Sequence, residues 1–293
     1  MRPSTVDAIV TGGLDPTDVM RVIRAALDED LGPDGLDLTS RATIPDYQTG
    51  EGELVARAGG VLAGIAVAAA AFELTDPRAV VTPVAADGAR VARGEVLATV
   101  AGPTRALLTA ERTALNLACR LSGVATHTRA WVDAVAGTKA RVLDTRKTTP
   151  GLRALEKYAV RVGGGGNKRM GLYDVAMVKD NHARAAGGVG PAFARVRSAY
   201  PDVPVQVEVA SVAEAETAVA AGASFLLCDN LPPDELRKLV AVVAGRAYLE
   251  ATGNLTLDRA REYAETGVDY LSVGALTHSS PILDLAMDLR TEA

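Results

Sequence analysis

Residues 203–253 read VPVQVEVASVAEAETAVAAGASFLLCDNLPPDELRKLVAVVAGRAYLEATG, and this stretch decides how the second half of the chain folds. A short apolar, β-branched run leads to a polar residue, a helical segment closed by glycine follows, and the pattern then starts again. That alternation is the sequence form of βα units and a parallel sheet. The same unit extends in both directions, so six strands are expected: ARVLDT (140–145), DVAMVKD (174–180), VPVQVEV (203–209), FLLCDN (225–230), YLEATG (248–253) and YLSVGA (270–275). A weak seventh is expected near EKYAVRV (156–162). The segments SVAEAETAVAAG, PPDELRKLVAVVAG and TLDRAREYAETG between strands each end on glycine, which closes a helix without a Cβ penalty. The late strands start about 21 residues apart, enough for one strand, one helix and two tight loops. Units this compact favour a barrel.

In an α/β barrel the working residues stand at the C-terminal ends of the strands. Those ends carry Asp144, Arg146 and Lys147; Lys179, Asp180 and Asn181; Glu208; Asp229 and Asn230; Glu250, Thr252 and Gly253; and Gly274. Loop starts are often polar, but runs as apolar as VQVEV and LLC have no packing reason to end on Glu208 and Asp229.

The first half reads differently. GELVARAGGVLAG (52–64) and GARVARGEVLATVAG (88–102) are short alternating strands with glycine turns, between the helical segments TDVMRVIRAALDEDLG (17–32) and TRALLTAERTALNLACRLSG (104–123). The expected architecture is an N-terminal α/β sandwich domain over residues 1–114, joined by the C-terminal tail 282–293, beside an α/β barrel catalytic domain over 115–281. The pattern GARVARGEVLATV is similar to sandwich domains that carry biotin or lipoate on a lysine. No lysine precedes Lys139, which excludes a swinging-arm carrier here.

Composition narrows the function classes. The 293 residues are 48% hydrophobic and 23% charged, ordinary for a soluble globular chain of one or two domains. A net charge of −5 argues against a basic face for nucleic acid. The longest apolar stretch, VLAGIAVAAAAF (61–72), is too short for a membrane span, and MRPSTVDAIV lacks a signal-peptide core, so a cytoplasmic location is expected. Cys119 and Cys228 have neither metal-ligand nor redox spacing and read as reduced, partly buried thiols. Of 31 basic residues only 139, 147, 157, 168, 179 and 238 are lysine, and three of them fall between Lys147 and Lys179. Against that background a lysine marks a place where a compact ammonium is wanted.

The tract RVGGGGNKRMG (161–171) sets glycines beside cations, as phosphate loops do. It fits neither template. A Walker loop needs GxxxxGK followed by Ser or Thr, whereas Arg169 follows Lys168, and no GxGxxG runs through the tract.

The block DTRKTTPGLRALEKYAVRVGGGGNKRMGLYDVAMVKDNH (144–182) nonetheless resembles the signature of the quinolinate phosphoribosyltransferase family, the carboxylating nicotinate-nucleotide pyrophosphorylases. DTRKTTPG, EKYAV, the glycines followed by N-x-R, and KDNH stand in that family's order and spacing. The likeness extends to ALDEDLGPDGLDLTS (26–40), ERTALNLACRLSG (111–123), VEV (207–209), CDN (228–230) and ETGVDYLSVGALTHSSPILD (265–284). It implies an open seven-stranded α/β barrel. The implied reaction joins the ring nitrogen of quinolinate to the anomeric carbon of phosphoribosyl pyrophosphate. It releases pyrophosphate and carbon dioxide and leaves nicotinate mononucleotide.

The resemblance also assigns residues. Arg112, Arg146, Arg169 and Lys179 match quinolinate-binding positions, and Lys168, beside Arg169 in the same loop, is expected to bind quinolinate with them. Arg112 is implied to reach in from a neighbouring subunit, hence at least a homodimer with shared active sites, which leaves room for a larger assembly. Glu208 and Asp229 match acidic positions for ribose hydroxyls and Mg2+, and Lys147 matches a phosphate-contacting lysine. Together Lys147, Glu208 and Asp229 are the implied catalytic set. Thr252, Gly253, Asn254, Gly274 and His278 match the phosphoribosyl pyrophosphate loops. A planar dicarboxylate calls for guanidinium forks, and magnesium for one or two carboxylates with phosphate oxygens, so the inventory suits the chemistry.

Two positions depart from the pattern. Lys168 stands where the family usually has histidine, which keeps a donor and a charge but not a neutral imidazole. Thr252-Gly253-Asn254 replaces the usual SGG, adding a side chain where backbone meets phosphate. The rival readings are a phosphoribosyltransferase for another pyridine or aromatic acid, a Schiff-base aldolase using Lys179, and a non-catalytic binding protein.

Overall fold

The structure, a computed structural model, describes residues 1–290. The chain forms two compact units. The first comprises Met1–Arg129, Thr149–Gly164 and the chain from Ser279 onward; the second comprises Ala130–Thr148 and Gly165–His278. These differ from the boundaries expected at 114 and 281. The helix that begins at Thr104 runs unbroken to Ala134, and the segment after residue 148 returns to the first unit. Of the expected tail, 291–293 lie outside the described residues.

The first unit holds helices α1 (Pro3–Thr11), α2 (Pro16–Leu31), α3 (Leu38–Thr43), α4 (Ile65–Thr75), the start of α5 (Thr104–Ala134) and α6 (Arg153–Val162). Its strands are β1 (Thr49–Ala56), β2 (Gly60–Val61), β3 (Val80–Pro83), β4 (Arg90–Val91) and β5 (Val96–Pro103), with Leu285–Arg290 as the last strand of the chain, β12. An antiparallel sheet of order β12-β1-β5-β3 and a β2-β4 ribbon result. Asp15 starts α2 by accepting a hydrogen bond from the Thr17 N–H at 2.8 Å, with Pro16 in the first turn, where its missing N–H costs nothing. From Ile65 on, the apolar stretch 61–72 forms α4, with Ala68, Ala70, Ala71 and Phe72 fully buried. Among the described residues no helix is long and apolar enough to cross a membrane.

EKYAVRV is not a strand. It lies in α6, where the fully buried Glu156 accepts from Arg120 Nη2 at 2.8 Å, from the Thr149 N–H at 2.9 Å and from Thr149 Oγ1 at 2.7 Å. The short apolar run Tyr158–Val160 fits a strand or a buried helix equally by composition, and the donors around Glu156 accompany the helix.

The second unit is built from the six expected strands: β6 (Arg141–Leu143), β7 (Ala176–Val178), β8 (Val205–Val209), β9 (Phe225–Asp229), β10 (Tyr248–Thr252) and β11 (Tyr270–Ser272). They form one parallel sheet of order β6-β11-β10-β9-β8-β7. A parallel bridge from Leu143 to Gly166 extends the sheet beyond β6, so the seventh position falls on the glycine tract instead of EKYAVRV. Among the described residues no ladder joins this edge to β7, and the sheet stays open. The connecting helices are α7 (Asp180–Ala186), α8 (Val189–Ala199), α9 (Val212–Ala220), α10 (Pro233–Val243), α11 (Ala260–Ala264) and α12 (Ala275–His278). Val205, Val207 and Val209 are buried while Gln206 and Glu208 alternate with them, the two-residue period that puts Glu208 on the other face.

Candidate active site

A cleft of about 780 Å³ opens at the C-terminal ends of the parallel strands, and all of its lining belongs to the second unit. It gathers Arg146, Lys147, Lys168, Arg169, Lys179, Glu208, Asp229, Thr252, Gly253, Asn254, Gly274 and His278, every expected site residue except Arg112. Arg112 is exposed on α5, in the first unit. Because the strands are parallel, their C-terminal ends bring residues from all six of them to one rim.

The cations cluster on one side. Arg169 donates from Nη1 to the Val175 carbonyl at 3.0 Å. Burial first, and repulsion from the Arg146 guanidinium second, hold Arg169 below the ordinary arginine value. Two guanidiniums that repel each other at a cleft wall form a receptor for anions. Lys179 Nζ lies 3.7 Å from Glu208 Oε2, with the Glu208 side chain 15% exposed.

The glycine tract carries Lys168 and Arg169 to this wall and is pinned from beneath. Asp144, fully buried just past β6, accepts the Lys168 N–H at 2.8 Å and the Asn167 side-chain amide at 2.6 Å. Lys168 Nζ forms an ion pair with Glu250 on β10, whose side chain is fully buried. Burial pushes the Lys168 ammonium below its ordinary value, attraction to Glu250 opposes this, and the charges of Arg169 and Lys179 add to the lowering. Asp144 and Glu250 stand at strand ends in the sequence, but nothing in the chain says that they hold the tract. Their partners lie 24 and 82 residues away.

Another part of the lining is shaped by backbone. Gly253 has φ +90°, and a Cβ there would lie 2.4 Å from Asn230 Oδ1. Only glycine fits both the conformation and the space. Asn254 also adopts positive φ, 48°, and donates from Nδ2 to Asn230 Oδ1 at 3.0 Å. Asparagine is one of the few side chains that accept the left-handed region, so the added side chain completes the turn instead of straining it. Asn230 itself donates to Asp229 Oδ2 at 3.0 Å. At Gly274 a Cβ would crowd Lys147 Cδ at 3.0 Å and His278 Nε2 at 3.1 Å, so this glycine lets both side chains converge. The Thr277 hydroxyl donates to the Lys147 carbonyl at 2.7 Å and ties that loop to α12.

Glu208 and Asp229 close the adjacent strands β8 and β9 and line the same cleft. Among the described residues no three His, Cys, Asp or Glu side chains group closely enough to hold a metal alone. Two carboxylates with room beside them suit a magnesium ion that keeps waters and shares substrate oxygens.

A parallel α/β sheet with guanidiniums and carboxylates gathered at its C-terminal rim defines an enzyme for polyanionic substrates. Comparison with known proteins makes the class specific. The model of the quinolinate phosphoribosyl transferase C-terminal domain matches residues 124–288, and that of the N-terminal domain matches 37–122. The chain is 50% identical over 273 residues to nicotinate-nucleotide pyrophosphorylase [carboxylating] of Mycobacterium leprae, covering 91% of this chain and 95% of that one. It is 38% identical to quinolinate phosphoribosyltransferase [decarboxylating] 1 of Nicotiana glauca, covering 94% of this chain and 83% of the relative. Among solved structures, NadC from Streptococcus pyogenes superposes with a TM-score of 0.91 at 39% identity, over 96% of this chain and 99% of that one. This chain belongs to the quinolinate phosphoribosyl transferase family.

Proposed function

We infer that the chain transfers the phosphoribosyl group of phosphoribosyl pyrophosphate to the ring nitrogen of quinolinate. The acceptor is decarboxylated, and nicotinate mononucleotide, pyrophosphate and carbon dioxide leave, a step of de novo NAD biosynthesis. The observation that carries this reading is the pairing of Arg146 with Arg169 at the wall where Lys168 and Lys179 also stand, a receptor matched to two carboxylates on one ring. Arg112 of a neighbouring subunit completes it in a homodimer with shared sites, and the enzyme works in the cytoplasm.

Across the cleft, Lys147, Thr252, Gly253, Asn254, Gly274 and His278 receive the phosphates, the glycines by letting backbone N–H groups approach closely. Glu208 and Asp229 take the ribose hydroxyls and face the positive charge that develops at the anomeric carbon as pyrophosphate departs. They would also hold Mg2+, which supplies charge neutralisation on the pyrophosphate when bound. No protein nucleophile is needed, because the cleft aligns ring nitrogen and anomeric carbon directly. Once ribosylated, the ring nitrogen is cationic and stabilises the electron pair left on the adjacent carbon by carbon dioxide loss. A proton then takes that place.

The test is to incubate the purified protein with quinolinate, phosphoribosyl pyrophosphate and Mg2+ and to assay nicotinate mononucleotide and carbon dioxide. Ribosylation of nicotinate or another pyridine acid, with quinolinate left untouched, would overturn the acceptor assignment. Borohydride trapping with a keto substrate is expected to leave no adduct on Lys179.

A further inference from the structure

Asp144, Glu156 and Glu250 are fully buried carboxylates, and one differs from the others. Glu156 and Asp144 have both oxygens occupied. Glu156 is met by Arg120 and Thr149, and Asp144 by the Lys168 N–H and the Asn167 amide. Glu250 is equally buried, yet its partner is Lys168 Nζ at Oε1, while Oε2 meets no hydrogen-bond donor. A carboxylate kept only for stability would be saturated, as the other two are, because an unmet buried oxygen costs free energy. Replacing a buried ion pair by apolar groups is often neutral or stabilising. The Lys168–Glu250 pair therefore needs a reason other than stability, and Lys168 supplies one by lining the cleft between Arg169 and Lys179.

We propose that Glu250 is a positioning residue for the acceptor: it holds the Lys168 ammonium at the cleft wall and offsets its charge, so that Lys168 offers quinolinate a directed hydrogen bond. This rests on the reading that Lys168, Arg146 and Arg169 meet the acceptor. The groups acting on the pair come from every side. Arg169 and Lys179 repel the ammonium, Asp144 holds the Lys168 backbone, and the Cys228 thiol on the neighbouring strand is pushed up to about 12, by burial first and then by Glu250. Without Glu250, repulsion and burial would drive the Lys168 side chain out of its place. The backbone anchor at Asp144 would remain, so the loop itself should stay folded. Glu250 would thus act on the acceptor through one side chain alone.

The experiment is a double-mutant cycle on the full chain, with quinolinate and phosphoribosyl pyrophosphate dissociation constants measured by titration calorimetry. K168M is expected to raise the quinolinate constant about tenfold, and E250Q to do nearly the same, with phosphoribosyl pyrophosphate moved by less than about twofold. In the K168M background, adding E250Q should change the quinolinate constant by less than about twofold, because its route through Lys168 is gone. E250L/K168M replaces both partners with apolar groups and keeps the test open if E250Q folds poorly; its quinolinate constant should equal that of K168M. Equal losses for E250Q with and without Lys168, or equal losses for both substrates, would overturn the proposal. If K168M weakens quinolinate and E250Q does not, the positioning role alone fails. If K168M itself leaves quinolinate unaffected, the reading of Lys168 as an acceptor residue fails and takes the proposal with it.

Discussion

The glycine tract of residues 163–169 and the turn of residues 252–254 both deliver groups to the cleft, and they are held by opposite means. The tract is fixed from below by the buried charges of Asp144 and Glu250, which take its backbone and its lysine. The turn is fixed by its own conformation, with positive φ at Gly253 and Asn254 and a side-chain bond to Asn230. The difference matches what each is proposed to meet. A rigid planar dicarboxylate is read by side-chain cations whose direction must be set. Phosphate is read by backbone N–H groups whose approach must be unobstructed.

The comparison breaks most sharply at the guanidiniums. R169A should lower kcat/KM for quinolinate by more than a hundredfold, about 3 kcal/mol for a lost charged fork, with phosphoribosyl pyrophosphate binding unchanged. Equal losses for both substrates would dissolve the division into two sides. D144A should act on the protein before the substrate. It leaves the Lys168 N–H and the Asn167 amide unmatched and should cost about 2–3 kcal/mol in denaturant unfolding, and wild-type stability would show that the tract is held elsewhere. On the other side, G253A meets both the φ penalty and the Asn230 contact. A loss of about 1–2 kcal/mol and a selectively raised KM for phosphoribosyl pyrophosphate are expected, with the steric part recovered in N230A/G253A. K168A should weaken quinolinate more than phosphoribosyl pyrophosphate, about tenfold or 1.4 kcal/mol, and the reverse ranking would mean that the tract faces phosphate. N254G should be the mildest, within about 0.5 kcal/mol in stability, since either residue adopts the turn.

Much of this was legible beforehand. All six strands lie inside the segments predicted for them, because a parallel strand covered on both faces needs a continuous apolar run and its polar end is conspicuous. The cleft residues were legible for the same reason: strand ends in a barrel share a rim. The seventh position was misplaced. EKYAVRV has a short apolar run like a strand's but is a helix with donors to Glu156, and the bridge that extends the sheet is at Gly166, where glycine has no side chain to betray a strand. The first compact unit runs to Arg129 inside α5, a single 31-residue helix, and no composition change marks that residue.

The sequence by itself determined the βα order, the charged rim and the family, because periodicity and motif spacing are local properties of the chain. Only the tertiary structure decided which charges act alone and which are held. Lys168 stands in the sequence beside Arg169 with nothing to mark its partner, and in the fold it is bound to a carboxylate 82 residues away. Charge pairing depends on separation in space and on the removal of water, and neither is written in the order of residues.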